Sequence, residues 1–315
     1  MEIQLEELNQ CGRKPLFIHD RTRLATATSV KLLDDRTLVT ASFVGQRMYL
    51  VRLNERRNRY EILDSLDTTF AGELAETDLM EADDHGNIVT SNFYLGSATL
   101  YRRKGKSLEF VRDLPLGLES FVHGLRFYKP DILAIAVTKG RRGVHFFNIE
   151  TCEHLFHIEI DCKTQDVFFL SENRALVILA HGAPKTNEQS LYHSELQIHE
   201  FDLDRKTSRV VARSILDECH IDNCARHNHQ LLLTDQLNDQ LTVIDGETLE
   251  VVERMPGFDF PHGIDVRDGL LAVTNYGTNS VAVRRLQGRP VSSLRRVVQW
   301  FASHIPGQRE RQRAA

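Results

Sequence analysis

An all-β fold, built as a closed ring of repeats, is what three features of this 315-residue chain predict. The first is a pattern written twice. Leu232–Asp245 reads LLTDQLNDQLTVID and Ala272–Val283 reads AVTNYGTNSVAV, each an apolar strand ending in Thr-Asp or Thr-Asn, a polar turn and a second strand. The second is the spacing of similar strand starts, at Thr28, Asp78, His123, Gln165, Asp222 and His262, with intervals of 50, 45, 42, 57 and 40 residues. The third is that none of these repeats carries a helical stripe. Strand repeats of this length are the signature of a β-propeller, here of six blades, with seven as the alternative if the first 27 residues and the tail form another.

Each blade follows in order. Inner strands open with Thr28-Ser-Val, Asp78-Leu-Met, His123-Gly-Leu, Gln165-Asp-Val, Asp222-Asn-Cys and His262-Gly-Ile. Second strands are TLVTAS, NIVTSN, ILAIAV, ALVILA, LLLTDQ and LLAVTN; third strands are MYLVRL, ATLYRR, GVHFFNI, LQIHEFDL, LTVID and SVAVRRL. Outer strands are legible at Tyr60–Leu63, Phe110–Leu114 and Leu249–Arg254. The last repeat lacks one, so Glu2–Leu8 or Leu16–His19 is expected to close the ring. Closure matters because a lone blade cannot bury both faces, and a ring leaves only short edges. His181–Glu195, without periodicity, reads as a long loop. The propeller is expected over residues 1–290. The tail, residues 291–315, is basic, with a short amphipathic helix over Val291–Ile305 that carries Trp300 and Phe301. Its expected role is packing under the propeller, with membrane contact as the alternative.

Composition narrows the function classes. The chain is 41% hydrophobic and 26% charged, with a formal net charge of −5, which argues against nucleic acid as a partner. No apolar run has the roughly 20 residues that span a bilayer. The acidic start, MEIQLEELNQCGRK, lacks an apolar signal core, and five cysteines make no even disulfide framework. A cytoplasmic location is expected.

The chemistry is expected at the channel mouth. The residues opening the six inner strands form a ring of polar side chains on otherwise apolar strands. With six blades, Thr28 faces Gln165, Asp78 faces Asp222 and His123 faces His262. Imidazole and carboxylate are ligands for divalent metals and also serve as acids and bases near neutral pH. Asp78, His123, Asp222 and His262 are therefore the candidate catalytic and metal-ligating residues, with a divalent metal ion as the candidate cofactor. Thr28, Gln165 and His220 are candidate ligand-binding residues. If these residues form a ligand or metal site, truncating either histidine is expected to cost about 0.5 kcal/mol or less of stability; if they are structural, the same change is expected to cost stability and leave no binding phenotype. A second group, Cys219, Cys224, His227 and His229, has the ligand types for zinc but not a standard spacing; Cys224 is expected to point into the blade.

LLLTDQLNDQLTVIDGETLEVVERM (Leu231–Met255) and LLAVTNYGTNSVAVRRL (Leu270–Leu286) resemble YVTN-type propeller repeats. PHGIDV (Pro261–Val266) and GNIVTSN (Gly86–Asn92) resemble NHL and lactonase-like propellers. The resemblance implies a propeller, and a function ranging from lactonase or lyase to binding scaffold. The expected function is a small-molecule hydrolase or lyase at the channel mouth; the alternative is a non-catalytic scaffold for a protein or peptide partner.

Overall fold

The computed structural model describes residues 2–4, 27–54, 59–118, 121–182 and 192–286. It contains six four-stranded antiparallel sheets, each running from an inner strand outwards. Blade 1 is Ala27–Asp34, Thr37–Ser42, Arg47–Asn54 and Arg59–Asp67; blade 2 is Thr77–Ala82, Asn87–Asn92, Ser97–Lys104 and Ser107–Leu114. Blade 3 is Val122–Lys129, Ile132–Val137, Gly143–Asn148 and His154–Glu159; blade 4 is Lys163–Ser171, Arg174–His181, His193–Asp202 and Thr207–Asp217. Blade 5 is Ile221–His227, Gln230–Asp235, Gln240–Asp245 and Val251–Pro256. Blade 6 is Pro261–Arg267, Leu270–Asn275 and Ser280–Arg285, completed by Glu2–Gln4.

That last pairing closes the ring. Ile3 lies opposite Val281 in antiparallel register, so the two ends of the described chain share one sheet. The core is six clusters, one between each pair of neighbouring blades, rather than one central mass. The cluster joining blade 6 to blade 1 sets Leu270, Ala272, Val281 and Val283 against Ala27, Val30, Leu38 and Tyr49. Alternating apolar residues on both faces of every middle strand make this arrangement possible.

Several expectations are corrected. Six sheets exclude the seventh blade among the described residues. The long loop is shorter than expected: His181 ends one strand and His193 begins the next, the two paired opposite each other, and residues 183–191 lie outside the described residues. The outer strand of blade 5 starts at Val251 rather than Leu249, because Leu249 is buried in a left-handed turn with φ 60°. A small hairpin, Thr69–Phe70 with Glu73–Leu74, was not expected. The tail helix at Val291–Ile305 and the segment Leu16–His19 lie outside the described residues. Among the described residues the only helical elements are two single 3-10 turns, Phe93–Leu95 and Gln236–Asn238.

Candidate functional site: an imidazole and carboxylate ring at the channel mouth

In all six blades the pairing of first and second strand slips at the ring residue. The irregularities fall between Ala27 and Ser29, Thr77 and Met80, Val122 and Leu125, Thr164 and Asp166, Ile221 and Cys224, and Pro261 and Ile264. A bulge re-aims a side chain and frees backbone groups from the ladder. Second-strand hydroxyls satisfy those groups. Ser91 Oγ accepts from Leu79 N (2.9 Å), Thr234 Oγ1 from Asn223 N (2.9 Å) and Thr274 Oγ1 from Gly263 N (2.6 Å). The next residue holds the following turn: Asp235 Oδ2 accepts from Asn238 and Gln240, and Asn275 Nδ2 donates to Ser280. The repeated Thr-Asp and Thr-Asn pairs are thus structural parts of the blade.

The bulges bring four side chains together. His123 Nε2 lies 3.1 Å from Asp78 Oδ2 and 3.3 Å from Asp222 Oδ1. His262 Nε2 lies 3.3 Å from Asp78 Oδ1 and 3.0 Å from Asp222 Oδ2. The imidazole centroids are 5.9 Å apart. The result is a square, with His123 and His262 on one diagonal and Asp78 and Asp222 on the other. Thr28 and Gln165 hold the frame: His123 Nδ1 donates to Gln165 O (2.7 Å) and His262 Nδ1 to Thr28 O (2.8 Å). A carbonyl only accepts, so both histidines carry the proton on Nδ1. Each reaches the next blade's backbone because a glycine follows it. A Cβ on Gly124 would stand 2.6 Å from Gln165 O, and one on Gly263 2.5 Å from Thr28 O. Gln165 Nε2 donates in turn to His220 Nε2 (2.9 Å), which lies 3.8 Å from Asp222 Oδ1.

The four side chains are buried, His123 and His262 at 5% exposure and Asp222 at 2%. Truncation of either histidine would therefore strand two buried carboxylates, and the expected small stability cost is corrected upward. Burial opposes charge on each imidazole, but the Asp78 and Asp222 carboxylates outweigh it, raising His123 to about 9 and His262 well above its usual value. Burial likewise opposes the Asp222 carboxylate, and the two imidazoles overcome it, holding its pKa well below the usual range.

The ring has two ways to settle its charges. Each Nε2 either carries a second proton or offers a lone pair to a cation between the carboxylates. Two observations fit the cation. Asp78 Oδ2 and Asp222 Oδ2 are buried without any hydrogen bond of acceptable geometry, although a ring nitrogen stands about 3 Å away. The four sides of the square, 3.0–3.3 Å with a different carboxylate oxygen on each, are of the order that neighbouring ligand atoms take around one small ion. Backbone carbonyls on the far ring nitrogens are also the usual support for metal-ligating histidines. Asp78, His123 and His262 present ligand atoms all within 4.8 Å of one another, and Asp222 touches both imidazoles from the opposite side.

Above the ring opens a cup of about 940 Å³. Its wall has two more tiers. Two residues before the ring stand Glu76, Phe121, Lys163, His220 and Phe260; just after the second strands stand Phe43, Phe93, Thr138, Gln236 and Tyr276. Sequence reasoning found only His220 among these. The repeat held the signal, since five blades contribute to each tier at the same offset and F-x-H-G occurs at both histidines. Phe121 and Phe260 both take left-handed backbone, φ 58° and 50°, strain of the kind that gathers at binding sites. Tyr276 stacks on His262 at 5.4 Å, and Phe93 meets His123 edge-on at 6.0 Å.

Below the ring, three residues deeper on the inner strands, lie Lys31, Glu81, Arg126, Phe168, Ala225 and Asp265. Arg126 bonds to Glu81 (2.9 Å), to Asp166 (2.7 Å) and, past blade 4, to Cys224 O of blade 5 (2.8 Å); Lys31 bonds to Glu81 (3.0 Å). These bonded side chains form a layer beneath the cup.

The second sequence-predicted group does not converge. Cys224 is buried in its blade, as expected, and Cys219 donates to Leu216 O (3.0 Å). His227 and His229 flank the turn between two strands. Among the described residues, the one group of three or more metal-type ligands within reach of each other is that of the ring.

No protein-family model matches the chain, and no curated protein matches it. Solved structures do. Kuenenia stuttgartiensis hydrazine synthase superposes with a TM-score of 0.61 at 12% identity, over 87% of this chain and 99% of that one. The propeller domain of Myceliophteria thermophila Cps50 (Swd1) gives 0.54 at 14% identity, over 83% and 84%. The C-terminal WD40 domain of Sif2 gives 0.52 at 12% identity, over 84% and 97%. The chain is a six-bladed β-propeller. At these identities the likeness is one of fold, and it extends to WD40 propellers rather than singling out the YVTN, NHL or lactonase repeats.

Proposed function

We propose that this propeller is a binding protein whose ligand site is the cup, built around a divalent cation held by Asp78, His123, Asp222 and His262. The observation that carries the reading is the geometry of the two histidines. Their Nδ1 protons are committed to Gln165 O and Thr28 O, and their Nε2 atoms converge on two carboxylates whose nearest oxygens have no hydrogen bond. The finer reading is a hydrolase or lyase acting on a small molecule. A bound cation would polarise an oxygen of the ligand or lower the pKa of a water. Within the chain, His220 accepts from Gln165 on Nε2, which lies 3.8 Å from Asp222 Oδ1, and its ring lines the cup. It is placed to relay a proton.

The second reading is a scaffold that binds a protein or peptide across the mouth. The fold likeness to WD40 propellers supports a binding role in general, and Tyr94 and Leu95 project from the rim at 52% and 46% exposure. One experiment separates the readings. Chelator-stripped protein is reloaded with Zn²⁺ or Mn²⁺ and assayed against lactones and aryl esters. Turnover that requires the metal and is lost in Asp222→Asn supports catalysis; no turnover by protein shown to hold stoichiometric metal removes the hydrolase and leaves the binding role.

A further inference from the structure

The wall of the cup is asymmetric. Blades 6, 1 and 2 present aromatic rings: Phe260, Tyr276, Phe43, Phe93 and Tyr94. Phe93, Tyr94, Phe43 and Phe121 form one edge-on cluster with centroids 5.0–6.1 Å apart. Blade 3, which adds Phe121 to that cluster, and blade 4 present the cations: Lys139, Arg142 and Lys163. Arg142 pairs with Asp161 at 3.3 Å. Lys139 lies over the Phe121 ring at 4.7 Å, and among the described residues no carboxylate lies within ion-pair distance of Lys139 or Lys163. Among the described residues, Glu76 is the one acid of the wall above the ring.

We propose that the ligand of the cup is a small aromatic carboxylate, its ring against the blade 1 and 2 aromatics and its carboxylate towards Lys139 and Lys163. This rests on the cation reading of the ring. Two carboxylates balanced by a dication leave the floor of the cup neutral, so the two unpaired lysines set the sign of charge the wall prefers. The volume, about 940 Å³, suits a small organic molecule. Aromatic faces meeting a ring edge-on or offset add selectivity for a planar body, and a lysine at the boundary of an aromatic cluster favours an anion attached to it. A peptide strand, with its charge spread along a neutral backbone, matches this polarity less well.

The test uses the full chain loaded with Zn²⁺ and calorimetric titration with three probes: phenylacetate, its neutral amide, and cyclohexanecarboxylate, with Lys139→Gln and Lys163→Gln as variants. The expected result is binding of phenylacetate over the amide, and a loss of about tenfold in each lysine variant. Zinc affinity should be unchanged in both variants, because neither lysine touches the ring. Amide and acid binding equally well, unchanged phenylacetate affinity in both variants, or no binding of phenylacetate to zinc-loaded protein would each overturn the proposal. Preference for cyclohexanecarboxylate would overturn the aromatic part. Failure to take up zinc at all would instead overturn the cation reading beneath it, so the two failures are distinguishable.

Discussion

Two layers of buried polar side chains sit one above the other on the same six strands, and they settle their charges differently. The lower layer does so internally. Glu81 accepts from both Lys31 and Arg126, and Asp166 Oδ2 accepts from Arg126, Asn223 and the Cys224 amide. Burial pushes Asp166 up, and although Arg126 and Lys31 pull it down, it stands at about 6. The upper layer has no lysine or arginine. Its cations can only be two imidazolium rings or a metal, and Asp78 Oδ2 and Asp222 Oδ2 lack a hydrogen bond of acceptable geometry. The lower layer holds its own cations, although Asp166 Oδ1 and Arg126 Nε there are also without a hydrogen bond; an upper layer that needs two protons or one dication can exchange them with solvent through the mouth.

The largest expected effect breaks the lower layer. Arg126→Met leaves Glu81 and Asp166 buried without their guanidinium and should cost about 3–5 kcal/mol in urea unfolding, with metal affinity in the folded variant unchanged. Next is the ring. Asp222→Asn keeps the shape but removes a ligand charge, and should weaken Zn²⁺ binding by at least about a hundredfold in competition with a chelating dye. If Arg126→Met weakened the metal as much as Asp222→Asn, the two layers would not be independent.

The pH dependence should sharpen the contrast. His123 has a raised folded pKa, so its stabilisation is complete below the unfolded value of 6.5 and is lost as pH rises through about 9. His262 acts in the same direction. Metal-free protein should therefore lose stability between about pH 6.5 and 9, on the order of 3 kcal/mol from His123 alone, and zinc-loaded protein should not. Equal curves for both forms, followed by thermal unfolding, would remove the imidazolium from the account. The smallest effect concerns spacing. Gly124→Ala would set a methyl against Asp166 Oδ1 and Gln165 O; repacking should cost about 1–2 kcal/mol and displace His123 Nδ1 from its carbonyl. An unchanged imidazole nitrogen resonance in that variant would show that the close approach is dispensable.

The sequence carried the ring for a physical reason. A polar residue heading an apolar strand cannot be hidden, and six such residues at one repeat position had to meet at the axis. Thr234-Asp235 and Thr274-Asn275 carried the repeat because hydroxyl and Asx groups patch a bulge and hold a turn. The bulges themselves left no mark, since register is a property of pairing and not of composition. The lower layer was missed because Lys31, Glu81, Arg126 and Asp265 read as ordinary surface alternation on half-buried strands, although they sit at a constant offset from the ring. The aromatic wall lay in loops, where no periodicity guides reading, and only the common offset from each strand end could have collected Phe43, Phe93 and Tyr276.

The central claim is that the upper layer is completed by one divalent cation, and native mass spectrometry tests it most directly. Chelator-stripped protein exposed to Zn²⁺ should gain one ion per chain and release about two protons on binding at pH 7, one from each Nε2, and Asp78→Asn with Asp222→Asn should abolish the uptake while the chain remains folded. Uptake of the same single ion by that double variant, or none by the wild-type chain, would contradict the account.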